Sequence, residues 1–314
     1  MEQINMNKEQ TNSGMSQGNP MWKGVLAPGK ALMGRQNVEI INSYDFSKYG
    51  LRIEIMQYNK LLGSTNTRVA QRLWYMNEAN IKCRQIAIYI LNSGAKVEAG
   101  AMSYFQGPLE MTTGVNDLGQ AIGKAFSNKL TGERIVTPEY KGSGLLVLEP
   151  NFKHFIVVEL EPGESIICDK GCYVASSLGV RVEPCFAGNA SGSLLGGEGV
   201  FQQKITGPGV VILESPVPEF ELGKIELNND VLKVDGNFVL LRSDSIGMSV
   251  ERSSRTLIGS AMSGEGLVNV YRGTGFIWMA PSIKIYDALN IAEIYSGELT
   301  HVDMNTSTGN ATSR

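Results

Sequence analysis

Apolar and polar positions alternate in short runs along most of the chain. Examples are LRIEIMQY from Leu51, IKCRQIAIYIL from Ile81, GLLVLEP from Gly144, HFIVVEL from His154, GVVILE from Gly209, NFVLLRS from Asn237 and LVNVYRGTGFIWMA from Leu267. Each is rich in β-branched or aromatic residues and bounded by Gly, Pro, Asn or Asp, the signature of strands and tight turns. Helical patterns do not alternate with these runs, so a parallel α/β fold is not expected. The spacing predicts an all-β fold of sandwiched or barrel-like antiparallel sheets. One segment departs from period two. In GVNDLGQAIGKAFSNKLTGE, from Gly114, the residues Val115, Leu118, Ile122, Ala125, Phe126 and Leu130 recur at helical spacing. It predicts one short amphipathic helix near 115–130, capped by Asn116 or Asp117 and stopped at Gly132, with Phe126 as a candidate contact residue.

The runs repeat. Gly142-Ser-Gly leads into LLVLEPNFKHFIVVEL, Gly197-Glu-Gly into VFQQKITGPGVVILES, and Gly264-Glu-Gly into LVNVYRGTGFIWMAP. Each reads as a small-residue turn, a strand, a tight connection and a second strand, hence a β-hairpin. A second set, carrying Gly100, Gly171 and Gly236, interleaves with the first. From Gly100 to Gly171 is 71 positions and from Gly171 to Gly236 is 65. Repeats of this size predict tandem β-units. Gly100, Gly171, Gly199, Gly236 and Gly266 are read as structural turns, where φ is positive or backbones come close. One such unit leaves apolar faces and strand edges uncovered, and stacking covers them. Edges left at the ends favour a closed homo-oligomer, most simply a homotrimer.

Residues 1–36, rich in Gln, Asn, Ser, Gly and Pro, read as a mobile polar arm with at most a short docked piece at Met21–Trp22. Residues 37–301 read as a single repeat-built β domain and 302–314 as a disordered tail. The net charge of −3 offers no global field for nucleic acid. The N-terminus has no apolar signal-peptide core, and no apolar run is long enough to cross a membrane. A cytoplasmic protein is expected, with peripheral membrane contact left open. Cys83, Cys168, Cys172 and Cys185 read as reduced, packed thiols.

Several of these motifs carry a family resemblance when taken in order. They are GAMSYFQGPLEM (Gly100–Met111), AIGKAFSNKLTGE (Ala121–Glu133), GSGLLVLEP, then VVELEPGESIICDKGCYVAS, and GGEGVFQQKITGPGVVILES. Over roughly Val38 to Leu299 the chain resembles the family named for altered inheritance of mitochondria, mitochondrial biogenesis proteins with many bacterial members of unknown function. It departs at Arg134-Ile-Val-Thr, where the family usually runs Ser-Leu-Phe-Leu, and in the extra polar arm. The resemblance implies a duplicated short double-stranded β-helix, similar to the subunit of the trp RNA-binding attenuation protein. It also implies trimers resembling pseudo-symmetric rings and a scaffold or assembly role. It supplies no catalytic residues.

The residues themselves offer little chemistry. A cupin-like metal site needs clustered His, and the chain holds only His154, placed in a hairpin turn, and His301. GNASG, at Gly188–Gly192, has Ala where a nucleophilic Ser would stand. Gly207–Gly209 and Gly273–Gly275 sit between strands, with no helix to help cradle phosphate. No cofactor or metal is expected. The expected role is a non-enzymatic scaffold or interaction protein. The alternatives are an RNA- or small-ligand-binding ring and a metal-dependent cupin-like enzyme. Tyr271 with Arg272, and Lys153-His154-Phe155, are the nearest basic-aromatic candidates for RNA. Trp278 shares a strand face with Phe276 and is assigned to core or to a subunit interface.

Overall fold

The computed structural model describes residues 21–112, 137–169, 171–187, 200–252 and 267–286. It is built from antiparallel strands in two sheets. After a leading hairpin, β1 (Val38–Phe46) and β2 (Leu51–Tyr58), and a helix α1 (Thr67–Glu78), three units follow. The first holds β3 (Arg84–Val97), β4 (Met102–Gln106), β5 (Leu109–Thr112) and β6 (Glu139–Leu148). The second holds β7 (His154–Leu160), β8 (Ser165–Asp169), β9 (Tyr173–Ser177), β10 (Arg181–Ala187), β11 (Val200–Thr206) and β12 (Gly209–Ser215). The third holds β13 (Gly223–Val234), β14 (Val239–Ser243), β15 (Ile246–Arg252) and β16 (Leu267–Met279).

The outer units share one plan. The long last strand, β6 or β16, pairs along one side with the long first strand, β3 or β13. Along its other side it pairs with the two short strands, β4 and β5 or β14 and β15. In the middle unit both long strands are cut in two. β12 pairs with β7 and β9, whereas β11 pairs with β8 and β10. β7, β9 and β12 thereby join the first sheet, and β8, β10 and β11 join the second. The three expected hairpins are therefore not hairpins. β6 and β7 pair with different strands, β11 and β12 lie in different sheets, and Leu267–Met279 is one continuous strand.

Glycine explains why a Gly-x-Gly here bends a strand rather than turning it. Gly142-Ser-Gly144, Gly207-Pro-Gly209 and Gly273-Thr-Gly275 occupy the same place in the last strand of each unit. A Cβ on Gly142 would lie 2.1 Å from the Pro108 carbonyl oxygen, and one on Gly273 2.6 Å from that of Ser245. Neighbouring backbone occupies the space a side chain would need. Opposite each kink the first strand also bends, through a left-handed residue: Asn92 (φ 48°), Gly163 (φ 83°) and Asn229 (φ 52°). In the outer units the Asn backbone N–H donates to the hydroxyl of the central residue, Asn92 to Ser143 at 2.9 Å and Asn229 to Thr274 at 2.9 Å.

The first sheet curls round a core that includes Ile53, Ile55, Ile88, Ile90, Leu146, Phe155, Val210 and Ile212. A second core joins the sheets. Alternation along β12 sends Val210 and Ile212 into the first core and Val211 and Leu213 into the second, where they meet Ile166, Cys168, Ile205, Leu241 and Trp278. Burial on both faces is why β12 reads as an unbroken apolar run.

Residues 21–36 are not part of a mobile arm. Trp22, Leu26 and Ala31 are buried against Met56, Tyr89, Leu145 and Val147 on the outer face of the first sheet. The composition of this stretch hides a polar anchor. Glu54 is fully buried and each of its oxygens is satisfied. It accepts from Arg52 Nη2 at 2.5 Å and Tyr89 Oη at 2.6 Å, and the Gly29 backbone N–H donates to it at 2.9 Å. Tyr89 Oη in turn accepts from the Ala31 N–H at 3.1 Å. A carboxylate in such a place is tolerated only because it is fully partnered.

Helix α1 has no counterpart in the sequence reading. Its sequence, TRVAQRLWYMNE, sets Val69, Leu73 and Met76 at helical spacing, yet the helix buries no residue. Asn66 starts it, its side chain capping the Arg68 and Val69 N–H groups at 2.9 and 3.3 Å. The helix expected near 115–130 lies outside the described residues.

Candidate functional site

The first sheet does not close. β1 and β7 are its two terminal strands, and no ladder joins them among the described residues. An ion pair between Lys48 and Glu159 bridges this seam near one end. Elsewhere β1 and β7 wall a cleft of about 1080 Å³, completed by the Ala79–Arg84 stretch, the Pro216–Glu221 stretch, Lys224 and Tyr286. Its rim is apolar and open to solvent: Ile41, Ile81, Phe152, Phe220 and Tyr286 are all exposed, Phe220 to 88%. A bulge between Ile40 and Asn42 breaks the β1 register at this point.

The ionisable groups inside are mostly committed. Burial, and then the nearby Arg84 guanidinium, pull His154 down to about 4, although Glu221 opposes them. His154 starts β7 and is half-buried, rather than standing in a solvated hairpin turn. At neutral pH it is an uncharged donor and acceptor. Burial, reinforced by Glu219, pushes Tyr44 up to about 12. Glu219 pairs with Lys224 at 2.8 Å, and Lys224 also lies 4.2 Å from the Trp278 ring centre. Glu221 accepts from Ser282 Oγ at 2.7 Å and Tyr286 Oη at 3.1 Å. The wall contains no serine, threonine or cysteine among the described residues. Among those residues no cluster of three His, Cys, Asp or Glu could hold a metal. His301 lies outside them.

Gly100, Gly171 and Gly236 sit at the same turn of successive units, at φ 88°, 92° and 104°. Gly199, Gly266 and Phe126 lie outside the described residues. Tyr271 and Trp278 are buried residues. They are 2% and 4% exposed, Tyr271 in the core of the second sheet and Trp278 between the sheets. Burial in these cores hides both rings, and Tyr271 presents none for a base to stack on. Arg272 is exposed but engaged, its guanidinium forking onto both Glu251 oxygens at 2.5 and 3.0 Å.

The family profile of mitochondrial biogenesis AIM24 matches residues 81–282, which contain all three units. The chain belongs to the AIM24 family. Among solved structures it is similar to protein SPYM3_0169 from Streptococcus pyogenes, with 21% identity, a TM-score of 0.48, and coverage of 68% of this chain and 94% of that one. No curated protein matches it. Among the described residues of this AIM24-family chain, no helix is long and apolar enough to cross a membrane.

Two joints link successive units. At the first, Ala95, Lys96 and Val97 of β3 pair with Ser177, Ser176 and Ala175 of β9. At the second, Ile166, Ile167 and Cys168 of β8 pair with Ser243, Arg242 and Leu241 of β14. Each joint thus sets the end of one unit's first strand against the next unit's second strand. The corresponding edges at the two ends, the Asp230–Val234 part of β13 and the outer edge of β4, have no such partner among the described residues. Val231 and Phe105 stand exposed there.

Proposed function

We propose that this AIM24-family protein is a non-enzymatic interaction scaffold of the cytoplasm that works as a closed homotrimer. The carrying observation is the joint between units, made twice and left unmade at both ends among the described residues. β13 of one copy takes on β4 of the next the place that β3 takes on β9. Such a head-to-tail contact forms a ring if its rotation closes and a filament if it does not. Two successive joints of one kind within a single chain, together with the resemblance to ring-forming proteins, support the ring. The apolar-rimmed seam cleft is the surface this scaffold offers to protein partners. Its committed carboxylates and the lack of serine, threonine or cysteine in its wall among the described residues support a role without catalysis. The four free thiols suit a reducing compartment.

Light scattering on the full chain tests the reading. A mass three times the 34.1 kDa of one chain is expected. Phe105→Asp or Val231→Asp, each placing a charge on an unpaired edge, is expected to lower it toward that of one chain. A wild-type protein that stays a single chain at micromolar concentration, or a trimer indifferent to both substitutions, sinks the proposal.

A further inference from the structure

Two thiols meet where the middle unit passes from the second sheet to the first. Cys168, on β8, is 1% exposed and belongs to the core between the sheets. Cys172 follows just before β9, half-buried and packed against the same core. The chain folds back tightly between them: the Cys172 N–H donates to the Asp169 carbonyl at 3.2 Å, and Gly171 adopts φ 92°. Both side chains pack against the same core, and each shifts the ionisation of the other. The equivalent positions, three before and one after the turn glycine, are Val97 and Ala101 in the first unit and Lys233 and Asn237 in the third. Only the middle unit carries sulfur there.

We propose that Cys168 and Cys172 form a redox-active dithiol, a modification site whose co-reactant is a small-molecule disulfide such as oxidised glutathione. Cys172 is the attacking thiol, because it is the more accessible of the two. The neighbouring Cys168 thiol favours its thiolate and draws its pKa below the ordinary thiol value, against the opposing effects of burial, Asp169 and Glu214. The same contact, with burial, holds Cys168 well above that value. In the first step Cys172 sulfur loses its proton and attacks one glutathione sulfur. The glutathione S–S bond breaks and one glutathione leaves as thiolate, taking up that proton. In the second step Cys168 gives its proton to solvent and its sulfur attacks Cys172 sulfur, releasing the second glutathione. Two protein thiols are oxidised and one small disulfide is reduced to two thiols. The new bond fastens β8 of the second sheet to β9 of the first across the crossover.

The test exposes the folded full chain to oxidised glutathione, quenches it in acid, alkylates it in denaturant and maps the thiols by mass spectrometry. The expected product has lost two hydrogens, carries a Cys168–Cys172 link and reverts with dithiothreitol. Cys168→Ala is expected to accumulate a stable glutathione adduct on Cys172, and Cys172→Ser to abolish oxidation of Cys168. Circular dichroism checks that the variants fold, and the wild-type map decides by itself if they do not. The proposal is overturned if the wild-type chain shows no Cys168–Cys172 link, if the adducts gather on Cys83 or Cys185 instead, or if a folded Cys172→Ser chain still loads glutathione at Cys168.

Discussion

In the outer units the first and last strands bend and continue, whereas in the middle unit both break and the chain changes sheet. The three units are otherwise alike in strand order and pairing, so the cause lies at the bend. There the outer units set an asparagine N–H against a serine or threonine hydroxyl, Asn92 on Ser143 and Asn229 on Thr274. The middle unit has Pro162-Gly163 facing Gly207-Pro208. Proline can donate no ladder hydrogen bond and offers no hydroxyl, and that is where the strands part. One contact remains, from the Gly207 N–H to the Glu164 carbonyl at 3.0 Å. A bend stitched across by a side chain keeps one sheet whole. The same bend with proline on both strands lets a single unit serve two sheets, with an apolar core between them.

The largest effects should come from filling a bend. Gly142→Ala places a methyl against the Pro108 carbonyl at a φ of 131°, where neither backbone can yield. Strain and overpacking together should cost about 4 kcal/mol, seen as collapse of the first unit in urea melts. Gly171→Ala meets open space and carries only its turn strain, so it should cost about 1 kcal/mol. Near-equal losses would mean that close approach is not what glycine serves in the last strand. Next in size is the cap that distinguishes the first unit from the third. Glu54→Ala leaves Tyr89, Arg52 and the Gly29 N–H without their shared acceptor. It should cost about 3 kcal/mol and expose residues 21–36 to protease. An unchanged cleavage pattern would show that the apolar contacts of Trp22 and Leu26 hold the segment unaided.

The open edge of the middle unit should respond to pH. His154 holds its proton only below about 4 in the folded chain, against 6.5 for the free group. Between those values the unfolded chain binds the proton and the folded chain does not, so stability is lost as pH falls through that window. The ring is half-exposed, so screening should leave an effect on the order of 1 kcal/mol. His154→Gln should flatten the melting temperature between pH 6.5 and pH 4 relative to the wild type. A parallel slope in both proteins would assign the sensitivity to other groups.

Much of this was legible in the chain. Short alternating runs carried the all-β fold, and Gly100, Gly171 and Gly236 marked one true repeat, because a left-handed turn has few substitutes for glycine. The pairing was not legible. Gly142-Ser-Gly144 resembled Gly197-Glu-Gly199 in composition but corresponds to Gly207-Pro-Gly209, and a glycine pair does not declare whether it turns a chain or kinks it. Residues 21–36 look like a linker because their anchor, Glu54, lies elsewhere in the sequence. The seam cleft draws on segments from Ile41 to Tyr286 with no shared motif, so only folding brings them together.

The smallest effect is the most pointed test of the comparison. Ser143→Ala and Thr274→Val each remove one hydroxyl and leave an exposed asparagine N–H to water, which should cost about 0.5–1 kcal/mol apiece. The more telling readout is local. Amide exchange at Asn92 should quicken in the first variant and at Asn229 in the second, with the middle unit unchanged in both. The two sites lie in different sheets, so the double variant should show the sum of the single losses. If exchange stays slow at both asparagines, the hydroxyls do not stitch the bends. The continuity of the outer strands would then rest on their ladder hydrogen bonds alone, and the prolines of the middle unit would be sufficient to explain its break.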